Sequence, residues 1–203
     1  EIFDIEYAEM LYLKYMDIKI NDDNYIRDLR LKLKKYDNIV ILAPGASIQM
    51  FDISNYNIDN AAIICVNFVY DKTKIDYVFF TNIKRIGNCT CQLKTTDIII
   101  TSNLLKDVDN AQFIFSRNEL VYHDDKYCDD STLMLINLLK RIGVKKVYIA
   151  GFDGFMKNKG NFYDMSYERS VRTSDYDIET RKNILEKSYS SIEIIYLTPS
   201  LYR

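Results

Sequence analysis

The sequence contains no tryptophan and a single histidine, His123. Any mechanism that needs an imidazole base therefore depends on His123. It lies in the polar run His123-Asp124-Asp125-Lys126-Tyr127-Cys128-Asp129-Asp130. That run offers carboxylates to a Mg²⁺–nucleotide, but it reads more simply as an exposed acidic loop, and no metal site is expected. No Gly-x-Ser-x-Gly stretch is present, which removes the nucleophile elbow of a Ser-His-Asp hydrolase. No apolar run approaches the ~20 residues of a membrane span. Residues 1–16 lack the basic start and apolar block of a secretory signal. The net charge of −2 leaves no global basic field for nucleic acid. The four cysteines, Cys65, Cys89, Cys91 and Cys128, lack a paired zinc spacing. Cys65 lies in an apolar run and reads as a small core residue. Reduced thiols and a cytoplasmic location are the expectation. A chain that opens at Glu1 reads as a domain excised from something longer.

What is present is an ordinary globular composition: 203 residues, 48% hydrophobic and 28% charged. That is enough for one sizeable core. The chain is organised around Ile39-Val-Ile-Leu-Ala-Pro-Gly-Ala-Ser-Ile48. A short, β-branched apolar run stops at Pro44-Gly45, and Ser47 opens the next segment. This is the pattern of a buried parallel strand entering a tight turn and then a helix. Gly45 admits close approach of backbone to a ligand. Ser47 is placed to cap the helix and to offer its hydroxyl and N–H to an anion.

Apolar strands recur at 61–66, 77–80, 97–101, 112–115, 147–150 and 192–197. Helical patterns fall at 5–15, 25–35, 47–52, 131–142 and 177–189, with a single helical turn at 104–106. On the second helix Ile26, Leu29, Leu31 and Leu33 are the apolar candidates. Gly143 reads as the stop of the long helix. The polar, aromatic stretch 157–172 has no clear period and reads as a long loop or lid. Alternating strands and helices predict a three-layer, Rossmann-like α/β fold with a mostly parallel sheet. Residues 1–37 are expected to append two helices to a Rossmann-like domain at 38–203.

Polar residues stand at the carboxyl ends of the predicted strands: Ser47, Asn67, Thr81-Asn82 and Asp153. In a parallel sheet these ends share one edge and converge. Asn supplies both donor and acceptor, which suits a base or ribose. Asp153 suits ribose hydroxyls or a metal. Ser131 falls at the amino end of the long helix, a second place for an anion.

Ala43-Pro-Gly-Ala-Ser-Ile48 resembles the Gly-x-Gly-Pro-Ser-Leu turn of bacterial Rossmann-like sialyltransferases. Val66-Asn67-Phe68, the run from Val78 to Asn82, Ser131-Thr132 and the run from Ile142 to Asp153 fall in the same order. The similarity spans roughly residues 39–200. The turn and the Gly-x-Asp strand end are also similar to those of 6-hydroxymethylpterin diphosphokinase-like proteins. The chain further resembles a domain that comes after a pyruvate-type aldolase domain in bacterial polysaccharide-synthesis proteins.

These resemblances imply CMP or a CMP-type nucleotide sugar at the strand ends, contacted by Gly45, Ser47, Asn67, Asn82, Ser131, Gly151 and Asp153. They imply glycosyl transfer with no required cofactor. Where the sialyltransferases carry their base His, this chain has Arg172; Pro44 stands where they have Asn, and Phe155 where they have Tyr. Arg172, with Arg169 and Lys157, is expected to neutralise the leaving group. Tyr163, His123 or a loop carboxylate such as Glu168 is expected to handle the proton. The alternative is a non-catalytic nucleotide-binding or docking domain covalently attached to an aldolase.

Overall fold

Strand β1 (Asn38–Leu42) is buried from Ile39 onward and lies between β2 (Ala61–Val66) and β6 (Lys146–Ala150). Outward from β2 come β3 (Tyr77–Phe80), β4 (Asp97–Thr101) and β5 (Phe113–Phe115); outward from β6 comes β7 (Glu193–Tyr196). The order is β5-β4-β3-β2-β1-β6-β7, and every adjacent pair is parallel. The computed structural model describes residues 18–87, 89, 93, 96–123, 128–154, 162 and 175–203. The helix expected at 5–15 lies outside them, as does all of the 157–172 stretch except Phe162.

Side chains on successive strand residues point to opposite faces, so the apolar strands feed two cores. On one face Ile39, Ile41, Ile64, Phe79 and Ile99 pack under helices α1 (Asp23–Leu33), α4 (Ser131–Arg141) and α5 (Asp175–Tyr189). On the other, Val40, Leu42, Cys65, Val78 and Ile100 meet Ile48, Phe51, Phe68, Tyr70 and Leu104, which come from loops and 3₁₀ turns. The fold is a Rossmann-like α/β fold built on a seven-stranded parallel sheet.

Helix α1 buries Leu29 and Leu33, one turn apart, in the first core. Leu31, two residues on from Leu29, faces solvent at 59% exposure, since two residues rotate a helix by about 200°. Asp22, just before α1, accepts both Arg141 Nη atoms at 3.1 and 2.9 Å and the Ser116 N–H at 3.0 Å. Arg30 Nε donates to the Ile142 carbonyl at 2.8 Å. Helix α4 buries Leu133, Met134, Leu135, Ile136, Leu138 and Leu139. Gly143 ends it with φ of 90°.

Three local expectations change. Residues 47–52 do not form an α-helix: Ala46–Met50 is a 3₁₀ turn, and Phe51 leaves it in extended conformation. Asp52 then caps a second 3₁₀ turn, Ile53–Asn55, by accepting the Ser54 N–H. The turn expected at 104–106 lies at Ser102–Leu104. Two further four-residue helices, α2 (Ile83–Ile86) and α3 (Arg117–Leu120), are too short for a periodic pattern to reveal.

Candidate functional site

Chain order reverses between β1 and β6. Four strands run outward from β1 on one side, and the chain then returns to place β6 on the other. Such a switch point leaves a crevice outside the carboxyl ends of the strands, because the loops leaving the two strands diverge. Here the loops after β1 and β6 touch through glycine. The Gly45 N–H donates to the Gly151 carbonyl at 2.8 Å. A Cβ on Gly45 would stand 2.3 Å from that oxygen and 2.7 Å from the Asp153 carboxyl. Gly151 has φ of 72°, and a Cβ there would meet the Ala43 carbonyl oxygen at 2.0 Å.

This contact brings Asp153 over Ser47. The Ser47 N–H donates to Asp153 Oδ2 at 2.7 Å, and the Ser47 hydroxyl donates to Asp153 Oδ1. Ser47 Oγ is also 2.8 Å from Thr198 Oγ1, which accepts the Gly151 N–H at 2.8 Å. Ser47 is therefore not a helix cap: the 3₁₀ turn has Gly45 before it and no side-chain cap, and both Ser47 donors are held by a carboxylate of the same chain. Burial raises the Asp153 carboxyl above the usual carboxylate range, although both Ser47 bonds pull the other way.

Beyond β2 and β3 lies a second cluster. Asn67 has φ of 60°, a left-handed backbone uncommon outside glycine. Its amide donates to Thr81 Oγ1 at 3.2 Å and to Ser131 Oγ at 2.7 Å, and its Oδ1 accepts the Thr81 N–H at 2.9 Å. The two hydroxyls are 2.6 Å apart. The Thr81 N–H fixes which way the Asn67 amide faces, so both amide protons go to the hydroxyl oxygens. Only one hydroxyl proton is needed between Thr81 and Ser131. The other is not needed within the cluster. Asn103 holds Thr81 from behind by donating to its carbonyl at 3.1 Å.

The amino end of α4 carries this cluster, and its cap is Asp130 rather than Ser131. Asp130 Oδ1 accepts the Thr132 and Leu133 N–H groups at 2.9 and 3.2 Å, while Oδ2 pairs with Arg181 Nε of α5 at 3.1 Å. Burial works against the Arg181 charge, but Asp130, Tyr202 and Cys128 outweigh it and raise its pKa. Asp129 pairs with the buried Arg117 at 3.0 Å. Among the described residues no acidic, His or Cys cluster is arranged to hold a metal ion.

Six of the seven residues expected to contact a nucleotide thus fall into two groups. Gly45, Ser47, Gly151 and Asp153 meet at the β1–β6 switch point; Asn67 and Ser131 meet beyond β2 and β3. The seventh, Asn82, is half-buried directly after Thr81, and its carbonyl accepts the Arg85 N–H at 3.0 Å. His123 is exposed, past β5, with Nε2 3.2 Å from the Asn118 carbonyl. Tyr163 and Arg172, with Lys157, Glu168 and Arg169, lie outside the described residues. Phe162 is described: its backbone bridges Gly45, and the Arg85 guanidinium lies 5.7 Å from its ring centre.

Sequence reasoning does not single out Thr198, Asn103 or Arg181. Thr198 comes just after the last strand and fits the same rule that marks the other strand ends. Asn103 and Arg181 act by reaching across elements, and no local pattern announces that.

No protein-family model matches this sequence, and no curated protein is detectably similar to it. Solved structures do share its fold. One is the sialyltransferase CstII from Campylobacter jejuni in complex with a substrate analogue, cytidine-5'-monophosphate. It superposes with a TM-score of 0.52 at 15% identity, covering 81% of both chains. A mammalian sialyltransferase superposes with a TM-score of 0.51 at 11% identity, covering 98% of this chain and 87% of its own.

Proposed function

We propose that this chain is a glycosyltransferase-like domain that takes a CMP-type nucleotide sugar at the carboxyl edge of its sheet. One observation carries the reading: polar side chains after β1 and β6 meet at the chain-order reversal, and those after β2 and β3 and at the start of α4 form a second cluster along the same carboxyl edge of the sheet. The likeness to sialyltransferases, one of them solved with cytidine-5'-monophosphate, supports the nucleotide class. In this reading Gly45 lets a ligand lie against the turn, and the free hydroxyl proton at Ser131 or Thr81 donates to a ligand oxygen. Asn82 and Gly151 line the same edge. Arg172 and Tyr163 serve the leaving group and the proton, no metal is required, and the acceptor belongs to a bacterial surface polysaccharide assembled in the cytoplasm.

A second reading is a nucleotide-binding or docking domain without catalysis, attached to a pyruvate-type aldolase. The position of His123 favours it: the one imidazole of the chain is exposed beyond β5, against the Asn118 carbonyl.

Thermal unfolding with CMP, CDP, UDP and GDP tests both. A ligand of the native state raises the unfolding temperature by mass action. CMP is expected to give the largest rise, unchanged by EDTA. No rise at millimolar nucleotide overturns both readings. A rise without turnover of any CMP-activated sugar selects the second.

A further inference from the structure

Two other buried carboxylates among the described residues have cationic partners: Asp22 pairs with Arg141 and Asp130 with Arg181. Asp153 differs. Among the described residues its carboxylate faces Ser47 and Gly45 from the β1 turn, with Thr198 of the β7 end behind Ser47. None of these titrates, and among the described residues no charged group acts on its proton affinity. A half-buried carboxylate in such surroundings favours the neutral acid.

We propose that Asp153 is a positioning residue whose charge serves the strand-end site rather than the fold: as the carboxylate, it fixes the Ser47 hydroxyl and with it the Gly45–Ile48 turn that a nucleotide meets. This rests on the reading that the crevice binds a nucleotide. The count of donors and acceptors explains why charge matters. An ionised carboxylate has two acceptor oxygens, and Ser47 supplies two donors, its N–H and its O–H. A carboxamide or neutral acid keeps one acceptor and turns the other position into a donor. The Ser47 hydroxyl must then accept, and its proton must turn away toward Thr198, which already receives the Gly151 N–H.

The energetic sign is opposite to that of an ordinary structural carboxylate. A group whose folded-state pKa is raised adds stability below its unfolded pKa, and that stability is lost as pH rises through the folded value. At neutral pH the ionised Asp153 therefore weighs against the fold. Asp153→Asn is expected to leave the unfolding temperature at pH 7 unchanged or higher, while lowering affinity for CMP by about tenfold or more, as for a lost charged hydrogen bond. A purely structural residue would lose stability instead.

The deciding measurement tracks the Ser47 backbone amide by NMR between about pH 4 and pH 8 in the ligand-free protein. One inflection above the ordinary Asp range is expected, absent in Asp153→Asn. Calorimetric CMP titrations over the same range carry the titration of the CMP phosphate in both proteins, with a second pKa of about 6; the wild type should weaken further than Asp153→Asn as pH falls. Ser47→Ala keeps the charge and removes one bond; it should still titrate at its amide but bind CMP less tightly. A Ser47 amide that does not titrate, or an Asp153→Asn protein that melts lower yet binds CMP normally, overturns the proposal. A Ser47 amide that titrates as expected in a protein that binds no nucleotide overturns the nucleotide reading, and with it the site role, leaving only the hydrogen-bond assignment.

Discussion

Gly45 and Gly151 lie back to back at the β1–β6 switch point, joined by the Gly45 N–H donating to the Gly151 carbonyl at 2.8 Å. Either Cβ would collide with backbone, at 2.3 Å for Gly45 and 2.0 Å for Gly151. Backbone yields less readily than a flexible side chain. Gly45→Ala is expected to destabilise the protein by about 1–3 kcal/mol, the range for overpacking. Gly151→Ala should cost more, because its φ of 72° adds strain. Urea unfolding of the two variants gives the ranking.

Asn67 separates backbone strain from side-chain bonding. Asn67→Gly relieves the left-handed backbone but loses the bonds to Thr81 and Ser131; Asn67→Ala loses those bonds and keeps the strain. Both variants are expected to be destabilised, and Ala should lie below Gly by about 1 kcal/mol. Equal stabilities in urea would mean that the backbone conformation carries no cost.

The Asp130–Arg181 pair spans α4 and α5 with side chains 12% and 18% exposed. Arg181→Met removes the cation and leaves a buried carboxylate with only its capping bonds. A loss of about 3 kcal/mol is expected, as for one partner of a buried pair. Adding Asp130→Asn to Arg181→Met should recover part of it. A double-mutant cycle measures the coupling.

Residues 18–37 contribute Leu29 and Leu33 to the core and Asp22 to the Arg141 pair. A fragment beginning at Asn38 is therefore expected to lose cooperative thermal unfolding by circular dichroism. A fragment that melts as sharply as the parent would assign these residues a peripheral role.

Cys65, Cys89 and Cys128 are buried, and burial raises the thiol pKa of Cys65 and Cys128. Thiolate is the reactive form. In a Cys91→Ser background the native protein should react with Ellman's reagent only slowly, and three thiols should become reactive on denaturation.

Much of the sheet is legible in the sequence because buried parallel strands are short apolar runs. That signal bounds Ala61–Val66, Tyr77–Phe80 and Asp97–Thr101 correctly. The polar residues that close those runs point to the edge where Ser47, Asn67, Ser131 and Asp153 are found. The 3₁₀ turn after β1 reads as a helix in the sequence, since Ser47 after Gly45 carries the marks of a cap. What overrides them is a carboxylate more than a hundred positions along the chain.

The sequence alone determined which segments are strands, which long helices cover them, and which polar residues end each strand, because those properties arise from local periodicity and composition. The tertiary structure decided the order of the strands, and so which strand ends are neighbours. It placed β6 beside β1, set Gly151 against Gly45, and gave the Ser47 donors to Asp153. Those are contacts between distant segments. Their geometry depends on how two cores close over one sheet, which no local pattern encodes.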